Sequence, residues 1–125
     1  MTTPALNTVS WFQIGSDRPE QTNRFYGELF GWNFTADPDL DGYDLIRYAV
    51  GADPVGGLAH SPDASANHAI FLVLVQDVAA TVAATESLGG KVIQPATTAP
   101  DGLVFAYLLD TSGNRFGVFT PAPKS

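Results

Sequence analysis

Two helices that stop at glycine, roughly 58 residues apart, constrain this chain more than any other feature. The first ends in Arg24-Phe25-Tyr26-Gly27-Glu28-Leu29-Phe30-Gly31-Trp32 and the second in Glu86-Ser87-Leu88-Gly89-Gly90-Lys91-Val92. Glycine just past a helix supplies the left-handed conformation that ends many helices. Further landmarks repeat at 57 to 60 residues: Asp17 with Asp77, Asp53 with Asp110, and Gly56 with Gly113. One local order written twice predicts two equal modules related by a pseudo-twofold axis.

Within the first copy, Val9 to Ile14 alternates as a strand, Phe12 and Ile14 on one face, Trp11 and Gln13 on the other. A helix over about 18–30 follows, with Pro19 in its first turn and Ser16 or Asp17 as its cap. Phe25 with Leu29 and Tyr26 with Phe30 are i,i+4 pairs, which predicts a broad apolar side lying on a sheet. Strands are expected from Trp32 to Thr35, Tyr43 to Val50 and Val55 to His60, separated by turns rich in Asp, Pro and Gly. Ser61 to Asn67 reads as a linker. The second copy runs through a strand at 68–75, a helix at 78–88 capped by Asp77, a short strand at Val92-Ile93, a loop from Pro95 to Gly102, and strands at 103–109 and 115–120.

The fold class is therefore α+β, a single domain spanning 1–125 with modules at 9–60 and 68–120. One helix and four strands bury only one sheet face, so neither module is stable alone. Joined, eight strands of a mixed sheet can curve into a trough with the helices outside. By alternation Trp11, Gln13, His68, Ile70, Leu72, Phe105, Tyr107 and Arg115 point into the trough. Such an aromatic lining with few polar handles suits a flat organic molecule. Phe71, Val73, Val75, Leu108, Phe116 and Val118 then pack beneath the helices. Arg47 and Tyr48 cannot both face inward, and the sequence leaves open which does.

Composition removes several classes. With no cysteine there is no disulfide, thiolate nucleophile or thiolate metal site. Six basic against thirteen acidic side chains, net −7, argue against nucleic acid and anionic membranes and are compatible with a cationic ligand. No secretory leader or membrane-length apolar run is visible, so a cytoplasmic location is expected and the Asn33-Phe34-Thr35 glycosylation acceptor would be idle. There is no Gly-x-Ser-x-Gly elbow, and Asp37, Asp39 and Asp41 lack the downstream glutamate of a calcium loop.

Phe25-Tyr26-Gly27-Glu28-Leu29-Phe30-Gly31-Trp32 and Asp110-Thr111-Ser112-Gly113-Asn114-Arg115-Phe116-Gly117, set in this duplicated order, resemble the two signatures of the vicinal oxygen chelate superfamily. Its members include glyoxalase I, bleomycin-resistance proteins and extradiol dioxygenases. The resemblance covers about residues 9–120. It implies a divalent metal held by one side chain from each of the first, fourth, fifth and eighth strands, positions that fall near Trp11, Gly57, Ile70 and Gly117 here. None of these four can ligate through a side chain. The expectation is a metal-independent binder of a small organic molecule, aromatic or cationic, without a cofactor. The alternative is a metal-dependent lyase, isomerase or dioxygenase with an atypical site on Gln13 and His68. Relatives of this length commonly pair, so a homodimer is expected.

Overall fold

A computed structural model of the chain describes residues 5–122. Eight strands and two helices follow in order: β1 (Thr8–Ser16), α1 (Pro19–Phe30), β2 (Asn33–Ala36), β3 (Tyr43–Arg47), β4 (Gly56–His60), β5 (His68–Leu74), α2 (Val78–Ser87), β6 (Lys91–Thr98), β7 (Val104–Leu109) and β8 (Arg115–Thr120). A short 3-10 turn, Ala64–Ala66, lies between β4 and β5. Two compact units are resolved, one of residues Trp11–Ala69 and the other of the remaining described residues. We call the unit of residues 11–69 the first unit and the other the second.

Each unit uses the same strand order. In the first, β1 pairs parallel with β4, β4 antiparallel with β3, and β3 antiparallel with β2. In the second, β5 pairs parallel with β8, β8 antiparallel with β7, and β7 antiparallel with β6. The repeat in sequence is thus a repeat in topology, two copies of β-α-β-β-β.

Helix α2 is built as its sequence predicts. The Asp77 carboxylate accepts the Ala80 amide at 3.0 Å, and Gly89 follows the helix in the left-handed region. Val78 is buried with Val75, Ala106, Leu108 and Val118, and Val82 packs against that cluster. This is the core of the second unit.

Helix α1 departs from expectation at both its start and its face. Its N-cap is Arg18, with no side-chain cap. The Ser16 hydroxyl instead accepts the Arg18 amide at 3.0 Å and bonds Thr22 Oγ1 at 2.7 Å, while the Asp17 carboxylate takes the Asn67 amide group at 2.9 Å. No residue of α1 is buried, and Phe25, Leu29 and Phe30 are each more than half exposed. The i,i+4 spacing sets an apolar stripe, but it meets the unit beneath only at its end, where Tyr26 and Phe30 pack on Trp32. Tyr26 stacks on Trp32 at 5.4 Å, and Trp32 lies 5.6 Å from Phe12 of β1. Gly31, at φ 77°, makes that return possible by turning the chain back with its amide on the Gly27 carbonyl.

Strand β6 is longer than predicted. It runs through Pro95 to Thr98, with register shifts between Val92 and Gln94 and again between Gln94 and Thr97. Proline lacks an amide and interrupts a ladder, so it is tolerated where a bulge breaks the register and the strand pairs on one side only.

The Asp110 turn illustrates why the second signature motif exists. Asp110 Oδ1 accepts the amides of Ser112 and Asn114, each at 2.9 Å, and Oδ2 accepts the Asn114 side-chain amide at 3.1 Å. Gly113, at φ 86°, closes the turn. The Asn114 backbone and side-chain hydrogen bonds, in that order, hold the Asp110 carboxyl below its ordinary 3.8. A depressed carboxyl contributes stability above its unfolded pKa and loses it as pH falls through the folded value. Thermal unfolding of Asp110→Asn is therefore expected to fall below wild type above the ordinary carboxyl range and to converge with it as pH falls through the depressed folded value. A gap that stays constant across that range would refute the charged turn.

Candidate functional site

The sheet face that alternation assigns to Trp11 and Gln13 carries a chain of side-chain hydrogen bonds in the first unit. Gln13 lies opposite Gly57 of β4, and Gly57 lies opposite Leu45 of β3, two residues beyond Tyr43. Trp11 Nε1–H donates to Tyr43 Oη at 2.9 Å, Tyr43 O–H donates to Gln13 Oε1 at 3.1 Å, and Gln13 Nε2 meets His68 Nε2 at 3.0 Å. His68 Nδ1 faces the Ala66 carbonyl at 2.9 Å.

Donor and acceptor roles along this chain follow from chemistry. A carbonyl can only accept, so His68 Nδ1 carries the proton, and an amide nitrogen can only donate, so His68 Nε2 presents its lone pair to Gln13. The imidazole is thereby the neutral Nδ1–H tautomer. Every link donates in one direction, from Trp11 through Tyr43, Gln13 and His68 to Ala66. Buried networks satisfied in this way fix the orientation of their members. Gln13 is only 5% exposed, so its amide depends on these partners.

Two glycines make room for the chain. A Cβ on Gly57 would fall inside the phenol ring of Tyr43, and one on Gly15 inside the imidazole of His68. The absence of a side chain at 57 is therefore the space that Tyr43 fills. The sequence left Tyr43 without a role, because nothing local ties it to Trp11, 32 residues earlier.

The second unit holds the remaining expected residues. Phe105 and Tyr107 of β7 have ring centroids 5.6 Å apart, and the Arg115 guanidinium lies 5.3 Å from the centre of the Tyr107 ring. Ile70 is half-buried on β5. Gly117 of β8 is covered in its turn, since a Cβ there would sit 2.7 Å from Leu72 Cγ.

The open choice on β3 is resolved. Arg47 shares the face of Tyr43 and Leu45, where its Nη1 donates to Thr35 Oγ1 at 2.6 Å, while Tyr48 is 55% exposed and stacks over Phe12. His60 stands apart from His68, with its Nε2 3.0 Å from Asp44 Oδ2 at an exposed strand end. Such a pair contributes little to stability. The first unit also has a cleft of about 480 Å³ where β1 ends and α1 begins, lined by Ser16, Arg18, Thr22, Phe25, Tyr26 and Asn67 among others. Its lining carries one carboxylate, Asp17, whose Oδ1 accepts from the Asn67 side-chain amide at 2.9 Å.

A family model described as Glyoxalase-like domain matches residues 11–119. The chain belongs to the glyoxalase-like domain family. That places it in the vicinal oxygen chelate superfamily and accounts for the duplicated β-α-β-β-β order. Three solved structures share the fold. Methylmalonyl-CoA epimerase from Mycobacterium tuberculosis is 17% identical, covering 98% of this chain and 94% of its own, with a TM-score of 0.67. The Mn(II)-bound glyoxalase from Novosphingobium aromaticivorans is 18% identical over 96% of this chain and 42% of its own, TM-score 0.62. The 2,3-dioxygenase LapB from Pseudomonas sp. KL28 is 15% identical over 93% and 43%, TM-score 0.61. A search of the curated proteins found no match. No helix among the described residues is long and apolar enough to cross a membrane.

Glyoxalase-like proteins that hold a divalent ion need imidazole or carboxylate donors, and the residues here do not fit one. Of the first-unit positions, Trp11 offers an N–H that already donates, and Gly57 lies under Tyr43. Of the second-unit positions, Ile70 has no donor atom and Gly117 lies under Leu72. For the atypical alternative, the His68 lone pair is engaged by Gln13. Among the described residues no three of His, Asp and Glu come together.

Proposed function

We propose that this glyoxalase-like protein is a metal-independent small-molecule binder of the bleomycin-resistance type, taking its ligand on the sheet face of Trp11, Tyr43, Gln13 and His68. The observation that carries this reading is the hydrogen-bond chain itself. A catalytic base needs a free lone pair within reach of substrate. Here the imidazole lone pair faces an amide donor, and what the cluster offers a ligand is two ring faces, indole and phenol, held in fixed positions. Ring faces stack on flat molecules and attract cations. The acidic balance of the chain adds to the attraction for a cation. A cytoplasmic protein acting as a homodimer is part of this reading.

Tryptophan fluorescence provides the test. Trp32→Phe leaves Trp11 as the sole indole. Titration of that variant with 2-naphthol and phenyltrimethylammonium is expected to give saturable quenching, and Tyr43→Phe, which removes one link, is expected to weaken it by about threefold to tenfold. Protein purified without chelator is expected to carry no stoichiometric metal by elemental analysis. Flat titrations with every probe, or one bound Ni, Zn, Mn or Fe per chain together with turnover, would overturn the reading.

A further inference from the structure

Among the described residues, the second unit contains a cation without a counter-ion. Arg115 opens β8, and the register Leu109 with Arg115, Tyr107 with Gly117 and Phe105 with Phe119 puts Arg115, Tyr107 and Phe105 on one sheet face. Ala106, Leu108 and Val118 occupy the other face, in the core with α2. Arg115 is half-buried and its Nε is fully buried with no hydrogen-bond partner. Its side chain makes no hydrogen bond or ion pair among the described residues.

Nothing in the composition forces this isolation, because the chain carries thirteen acidic side chains. The carboxylate nearest in sequence, Asp110, is fully engaged by its own turn. The Tyr107 ring, 5.3 Å from Cζ, stabilises the face of the guanidinium. It does nothing for the in-plane N–H groups. A buried donor on a charged group that makes no hydrogen bond is costly. Native structures keep few such groups, and each asks for an explanation.

We infer that Arg115 is the anchor for a carboxylate on a flat ligand, with the rings of Tyr107 and Phe105 receiving the body of that ligand. The Nε–H and Nη–H edge of a guanidinium matches the two oxygens of a carboxylate through parallel bonds. Phe105 and Tyr107, tilted by 59° at 5.6 Å, offer ring surface beside it. The class is an aryl or conjugated carboxylate of one or two rings. This inference rests on the proposal that the protein binds a small molecule, and narrows it.

The test uses 2-naphthoate and its neutral isostere 2-naphthamide against the full chain, followed by calorimetry and by the Arg115 Nε–H resonance in proton–nitrogen NMR. Naphthoate is expected to bind at least tenfold more tightly than naphthamide and to move the Nε–H signal downfield. Arg115→Gln is expected to remove that preference, weakening naphthoate binding at least tenfold more than naphthamide binding. Arg115→Lys, which keeps the charge and loses the fork, is expected to retain only part of it. Equal affinity of wild type for the two probes, or an unmoved Nε–H signal, overturns the carboxylate anchor while the binding function stands. Failure of both probes and of the 2-naphthol and phenyltrimethylammonium titrations overturns both together.

Discussion

Gly57→Ala is expected to destabilise the protein by about 3 kcal/mol, although it adds one carbon. The new Cβ falls inside the Tyr43 ring, so the phenol must leave its place on the sheet. With it go the bonds from Trp11 and to Gln13, and Gln13 is too buried to recover the loss from water. Tyr43→Ala alone loses the same bonds and is expected to cost about 3 kcal/mol as well. The decisive protein is the double variant. Once the ring is absent the methyl group has room, so Tyr43→Ala with Gly57→Ala is expected to cost no more than Tyr43→Ala alone. Urea unfolding of the four proteins gives the coupling directly. If the two costs simply add, Tyr43 does not fill the space left by Gly57.

That coupling bears on two of the positions to which the resemblance assigns metal ligands. Gly57 and Gly117 are not open space. Tyr43 lies over one and Leu72 over the other, so restoring a histidine at either position alone would be blocked by a neighbour. In each unit the sheet face at that glycine is already filled by a neighbouring side chain.

What the sequence made legible is what local chemistry decides. Gly31 and Gly113 announce a left-handed turn wherever they sit, and Asp77 caps the helix that follows it. Two such helices at constant spacing reveal the duplication, and with it the fold. The network on Trp11 was only half legible. Alternation put Gln13 and Trp11 on one face, but the joining group, Tyr43, is 30 residues from Gln13 and reaches it through the register of β3 on β4. Register also decided between Arg47 and Tyr48, which alternation alone could not. Alternation put His68 on the same face, but the bonds that hold both its ring nitrogens, to Gln13 and Ala66, were not legible. The orphaned Nε of Arg115 has no signature in sequence at all, since it depends on which carboxylates stay away.

Helix α1 supplies the sharpest contrast in expected stability. Leu108, fully buried among Val75, Val78, Ala106 and Val118, loses contacts on every side when truncated, so Leu108→Ala is expected to cost about 2–5 kcal/mol. Phe25 has a larger side chain and a motif position that suggests equal burial, yet it is 60% exposed and meets Tyr26 only edge-on at 5.3 Å. Phe25→Ala is expected to cost under about 1 kcal/mol in denaturant unfolding of dilute protein, near the range of surface substitutions. The comparison separates two meanings of an apolar helix stripe, a face turned to its own sheet and a face left to solvent. Equal costs for the two variants in dilute protein would put a sheet beneath Phe25 after all. A Phe25→Ala cost that grows with protein concentration would identify the aromatic face of α1 as the surface on which two copies pair, because only an association equilibrium makes stability depend on concentration.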